Sequence, residues 1–159
     1  MSGDREFNDV REFQHKFNLW TNDQKPGHVS SRKMQERIDF IQEELDELKR
    51  AAESNDLAEQ IDALIDIVWV AKGLGNMLSM QWSLHWAEVR EANMAKERGI
   101  GPRGNLSDVI KPEGWEGPDH EAILKGRGYK RSAWVDDSGN LICGREDEEH
   151  AEIPMVSNR

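Results

Sequence analysis

Two aspartates four residues apart, Asp62 and Asp66, are the only charged side chains in the run 61–71, Ile-Asp-Ala-Leu-Ile-Asp-Ile-Val-Trp-Val-Ala. On a helix that spacing points both carboxylates the same way, one turn apart. A helix apolar on nearly every other side belongs in a protein interior. An unpaired carboxylate is costly there, and two like charges side by side are worse. Something positive has to sit between them. Upstream, Glu43, Glu44 and Glu47 offer three more carboxylates at helical spacing. Oxygen-only donors on two facing helices suit a hard cation, Mg²⁺ with Mn²⁺ as a substitute, better than Zn²⁺. Such a set fits phosphoryl chemistry, with Glu43 or Glu44 as the base that takes a proton from the attacking water. Lys96, on a later helix, would approach the phosphates. Glu59 shares the face of Asp62 and Asp66, although an acid near a helix start is favoured in any case. The plainer alternatives are a solvated acidic face, or salt bridges from the two aspartates to Arg32, Arg37 or Arg50.

Four helices have to carry these residues. The first is expected over residues 4–20, with Phe7, Val10, Phe13, Phe17 and Trp20 on one stripe; Gln14 lies on that stripe and His15 off it. Pro26-Gly27 breaks the chain before the second helix, which starts at Ser30 or Ser31 and runs to Glu53. Its core stripe is Met34, Ile38, Ile41, Leu45 and Leu48, with Glu44 and Glu47 on the flank beside Phe40. Asp56 caps a third helix running to Lys72, where Gly73 and Gly75 loosen its end. Ser79 caps a fourth, residues 81–98, whose stripe of Trp82, Trp86 and Val89 projects onward to Asn93 and Lys96. Beyond Gly99 the chain turns rich in Gly, Pro and Asp, with Trp115 as the anchor of an ordered loop. A hairpin is expected from strands 132–135 and 140–143, followed by a mobile acidic tail.

Composition narrows the partners. A formal net charge of -10 over 159 residues opposes direct binding of nucleic acid or an anionic membrane surface. The single cysteine, Cys143, cannot form an internal disulfide. The polar N-terminus and the lack of a long apolar run lead us to expect a cytoplasmic protein.

The Glu-Glu-Leu-Asp-Glu of residues 43–47, followed by Asp62-Ala-Leu-Ile-Asp66, resembles the all-alpha NTP pyrophosphohydrolases: the MazG-like proteins, dimeric dUTPases and phosphoribosyl-ATP pyrophosphohydrolases. The later segments Ala92-Asn-Met-Ala-Lys96 and Lys111-Pro-Glu-Gly-Trp115, with Pro118-Asp119, look like a branch found in phages and bacteria, which would place the protein in the host cytoplasm if phage-encoded. The resemblance implies an all-α, four-helix MazG-like bundle completed by oligomerisation, as a homodimer or homotetramer. It puts the domain at residues 1–124 and leaves 125–159 as an irregular C-terminal extension. It implies Mg²⁺ ligation by Glu44, Glu47 and Asp66, with Glu43 as ligand or base. Asn93 and Lys96 would contact the nucleotide's sugar and phosphates, and Gln14 would face the substrate. Where MazG itself has a Glu, this chain has Ala63, so Asp62 or Glu59 completes the metal shell. The implied reaction is attack of water at the α-phosphorus of a nucleoside triphosphate, giving monophosphate and pyrophosphate. A purine such as (d)GTP is the expected substrate, because Gln14, Asn93 and several tryptophans would line a roomy, polar-tipped pocket. Two other readings compete. One is a non-catalytic acidic helical interaction module. The other is a di-iron carboxylate bundle, which needs two Glu-x-x-His motifs where the helices offer only Glu12 to His15.

Overall fold

Side-chain caps start the first three helices. Asp4 accepts from the Phe7 backbone N–H at the head of α1 (Arg5–Lys16), and Ser30 from that of Lys33 at the head of α2 (Ser31–Glu53). Asp56 accepts from Ala58 and Glu59 at the head of α3 (Leu57–Met77). Their C-termini are closed by one device as well. Asn18, Asn55 and Ser79 each adopt a positive φ near 55°. The next backbone N–H then returns to a carbonyl of the last turn: Leu19 to Gln14, Asp56 to Ala51 and Met80 to Gly75. This left-handed turn at Asn18 ends α1 before the expected Trp20. It also gives Ser79 a role at the end of α3 rather than at the start of α4. Helix α4 (Trp82–Met94) begins at Gln81 with no side-chain cap. The structure describes residues 4–20, 25–101, 104, 108–129, 134–135 and 141–143, and is a computed structural model.

The short link between α2 and α3 makes them antiparallel neighbours, and α1 lies across α3. Helix α3 does not loosen at Gly73 but continues to Met77. Its glycines are packing positions. A Cβ on Gly73 would stand 3.1 Å from Gln14 Nε2 and 3.3 Å from Arg37 Nη2, so the missing side chain lets α1 and α2 close in on α3. The core gathers around this half of α3, with Val70, Lys72, Asn76 and Met77 buried beside Val10, Val29 and Gln14.

The other half of α3 is different. The run expected in the interior leaves Ile61, Leu64, Ile65 and Val68 roughly half exposed within one chain. Phe13, Phe17, Ile38, Phe40 and Trp86 are exposed as well.

Helix α4 turns 118° away from α3 and packs against α5 (His120–Gly126), a short helix capped by Asp119 that the sequence reading leaves as loop. Between them a hairpin replaces the expected last turn of α4: β1 (Glu97–Gly99) pairs antiparallel with β2 (Asp108–Ile110). Gly99 sits directly against Ile110, where a side chain would collide. The one expected hairpin is present as β3 (Trp134–Val135) paired with β4 (Leu141–Cys143). Its turn and the acidic tail lie outside the described residues. The described chain is all-α apart from these two hairpins, and none of its helices alone is long and apolar enough to cross a membrane.

Candidate active site

The acidic faces of α2 and α3 act on one another. Burial, followed by the charges of Asp66, Glu47, Glu43 and Asp62, holds the Glu44 carboxyl above its ordinary value. Asp66 is raised by burial first, then by Asp62 and Glu47. A carboxylate pushed upward by its neighbours marks uncompensated negative charge.

Among the described residues, the arginines of α2 pair with only one of these acids, Glu47. Arg32 lies 3.8 Å from Glu36, and Arg50 lies 3.4 Å from Glu47. Arg37 donates to the carbonyl of Val70 at 3.4 Å and stacks 4.9 Å over Phe40. Among the described residues no cation pairs with Glu43, Glu44, Asp62 or Asp66, which removes the salt-bridge alternative there. Glu59 takes a local part, its backbone N–H bonded to Asp56, while Asp62 belongs to the charges felt by both Glu44 and Asp66.

All five acids offer hard oxygen donors, and their surplus charge fits a divalent cation. Their present rotamers do not enclose one point: among the described residues, no three His, Cys, Asp or Glu side chains converge closely enough to hold an ion. Glu43, Glu47 and Asp62 are exposed, and an exposed pair such as Glu47–Arg50 is weak.

The residues expected to meet substrate are distributed otherwise. Gln14 is buried, and its amide is already in use: Nε2 donates to the carbonyl of Gly73 at 3.1 Å, and Oε1 accepts from Asn76 at 2.6 Å. It ties α1 to α3 and does not face the acids, a correction to its expected role. Asn93 and Lys96 lie together, with Lys96 Nζ donating to Asn93 Oδ1 at 2.7 Å. They stand at the end of α4, which turns 118° away from α3.

Other residues with chemical potential lie outside the sequence reading. Trp115 Nε1 donates to the carbonyl of Ala92 at 2.7 Å, and Lys96 and Lys111 lie 5.6 and 4.4 Å from its ring centroid. The signal for that anchor was visible in Lys-Pro-Glu-Gly-Trp, but its partners were not. His85 and His120 meet through their Nδ1 atoms at 3.1 Å. They border an apolar cavity of about 330 Å³ shared with His28, Met34, Leu124 and Tyr129.

Compared with known proteins, residues 10–93 match the model of the family described as phosphoribosyl-ATP pyrophosphohydrolase. The match covers more than half of the chain, from α1 into the last turn of α4, and includes all five acids and Asn93. No curated protein matches the chain.

Proposed function

The chain belongs to the phosphoribosyl-ATP pyrophosphohydrolase family, and so to the all-alpha MazG-like NTP pyrophosphohydrolases; on that premise we propose that it hydrolyses a nucleoside triphosphate to the monophosphate and pyrophosphate, with Mg²⁺ held by the acids of α2 and α3. The observation that carries this reading is the set of acids on the facing helices α2 and α3, where burial and then neighbouring carboxylates hold Glu44 and Asp66 above their ordinary values, with no cation paired to either among the described residues.

Glu44, Glu47, Asp62 and Asp66 hold the ion, with Glu43 as a further ligand or the base. The chemistry Mg²⁺ supplies when bound is neutralisation of charge on the phosphates, with Mn²⁺ able to substitute. Water adds to the α-phosphorus, the bond from that phosphorus to the bridging oxygen breaks, and pyrophosphate departs. The water's proton passes to Glu43 or Glu44. Lys96 places its ammonium on the departing phosphates, and Asn93 bonds the sugar. Gln14 supports this site only indirectly, by fixing α1 on α3.

Because α4, which leads to Asn93 and Lys96, turns 118° away from the helix that carries Asp66, we infer that the working site takes these two residues from a second copy. The half-exposed apolar faces of α1, α2 and α3 are what the copies would bury, as a dimer or tetramer. A purine such as (d)GTP remains the preferred substrate, and phosphoribosyl-ATP, which the family's description names, carries the same triphosphate.

The test is incubation with each NTP, each dNTP and phosphoribosyl-ATP in Mg²⁺ or Mn²⁺, with the products separated chromatographically. Monophosphate and pyrophosphate from at least one of them are expected. Orthophosphate release, or no turnover of any nucleotide, overturns the reading, and the second outcome favours the acidic interaction module. For the shared site, Asp66→Asn and Lys96→Gln should each be inactive alone and recover activity when co-expressed. No recovery would place both residues' work within a single chain.

A further inference from the structure

The end of α4 carries a small construction that the five acids do not explain. Helix α4 closes at Ala95, and the Lys96 backbone N–H bonds to the carbonyl of Asn93 at 3.2 Å. The carbonyl of Ala92 thereby loses its usual partner four residues on. Trp115 fills the gap with its indole N–H at 2.7 Å. It is brought there by the β1–β2 hairpin, which turns the chain back just after Lys96.

The indole then collects two lysines. Lys96 Nζ stands 5.6 Å and Lys111 Nζ 4.4 Å from the ring centroid, both within cation–π range. The cleft beside the ring is lined by Glu88, Glu91, Glu113 and Glu116. Even so, neither lysine forms an ion pair among the described residues. An ammonium resting on an aromatic face keeps its charge and most of its N–H donors, which a salt bridge would have occupied. Two such ammoniums gathered on one ring suit a ligand with several adjacent anionic groups.

We propose that Lys111 and Lys96, positioned by Trp115, form a two-lysine polyphosphate-binding site at the end of α4, with Lys111 taking the terminal phosphate of the substrate. This rests on the reading of the protein as a triphosphate pyrophosphohydrolase and adds two residues to it. Lys111 binds the ligand directly. Trp115 is a positioning residue: it holds both ammoniums where the phosphates arrive and touches none of the reacting atoms.

Inorganic tripolyphosphate is the probe, titrated calorimetrically into the full-length protein with Mg²⁺ present and used in parallel as an inhibitor of turnover. Lys111→Gln should weaken tripolyphosphate binding about tenfold and raise KM for the triphosphate by a similar factor, with the loss falling on KM rather than kcat. Lys111→Arg should restore most of both. Trp115→Leu should weaken binding as much as Lys111→Gln, while Trp115→Phe, which keeps an aromatic face, should recover part of it. Thermal melting of each variant separates these effects from misfolding. Tripolyphosphate binding and KM both unchanged in Lys111→Gln, or no tripolyphosphate binding by the wild-type chain, would overturn the proposal. Tripolyphosphate bound through Lys111 by a protein that hydrolyses no nucleotide would instead overturn the enzymatic reading and leave this site standing.

Discussion

Helix α3 carries charge at two places and treats it in opposite ways. Near its end, the buried Lys72 donates to Asp4 at 2.9 Å and Glu6 at 3.4 Å, and rests 5.3 Å over the Trp82 ring. One turn and a half earlier, Asp66 stands among Asp62, Glu44 and Glu47, and among the described residues no cation pairs with it. The two aspartates involved shift oppositely. Burial pushes Asp4 up, but the bonds from Lys72 and the Phe7 N–H outweigh it and hold Asp4 below its ordinary value. Burial and like charges together push Asp66 up. A buried lysine neutralises the first place, whereas at the second the described residues pair a cation, Arg50, with Glu47 alone.

The largest effect expected from this contrast lies on the compensated side. Lys72→Ala leaves Asp4 partly buried without its partner and removes the packing on Trp82. It should cost about 2–3 kcal/mol, below the range for a fully buried pair because Glu6 is exposed. Urea unfolding measures it, and a loss under about 0.5 kcal/mol would erase the distinction. Asp66→Asn should move the other way. Without metal it relieves repulsion and raises the melting temperature slightly, while abolishing the additional rise that Mg²⁺ gives the wild-type chain. Destabilisation by Asp66→Asn in metal-free buffer would show that the repulsion at Asp66 is not uncompensated.

Acidity sharpens the same comparison. A carboxyl raised in the fold, as Asp66 is, contributes stability that is complete below its unfolded value, near 3.8, and is lost as pH rises through its folded value. Asp4 is the reverse: its contribution is present above its unfolded value and is lost as pH falls through the lower folded one. In metal-free buffer the advantage of Asp66→Asn over wild type should therefore grow with rising pH across the carboxylate range. The deficit of Lys72→Ala should shrink as pH falls below it. The smallest effect concerns Arg50→Ala, which removes only the exposed contact to Glu47 and should change stability by less than about 0.5 kcal/mol.

What could be read from the sequence follows how local each feature is. Helix α2 was legible to within a residue, because Ser30 caps it and its apolar spacing needs no knowledge of the rest of the fold. The same was true of Asp56 at the head of α3. The end of α3 was misread because glycine loosens an isolated helix, whereas Gly73 here is the point where Gln14 and Arg37 come close. Gln14 itself was misplaced for the same reason: its partners, Gly73 and Asn76, are some sixty residues away along the chain. The acids of α2 and α3 could be grouped from the sequence because two helical spacings suffice to align them. The distance from Asp66 to Lys96 was not legible, since it depends on the turn between α3 and α4. Trp115 could be seen as an anchor, but not what it anchors.

Pyrophosphate release in Mg²⁺ by wild-type protein and Asp66→Asn side by side, with the fold of both checked by circular dichroism, tests the central claim most directly. The account predicts Mg²⁺-dependent release of pyrophosphate and monophosphate in equal amounts by the wild-type chain, and a loss of about a thousandfold or more in the folded variant. Equal activity in the two folded proteins, or full activity of the wild type in the presence of a strong chelator, would contradict it.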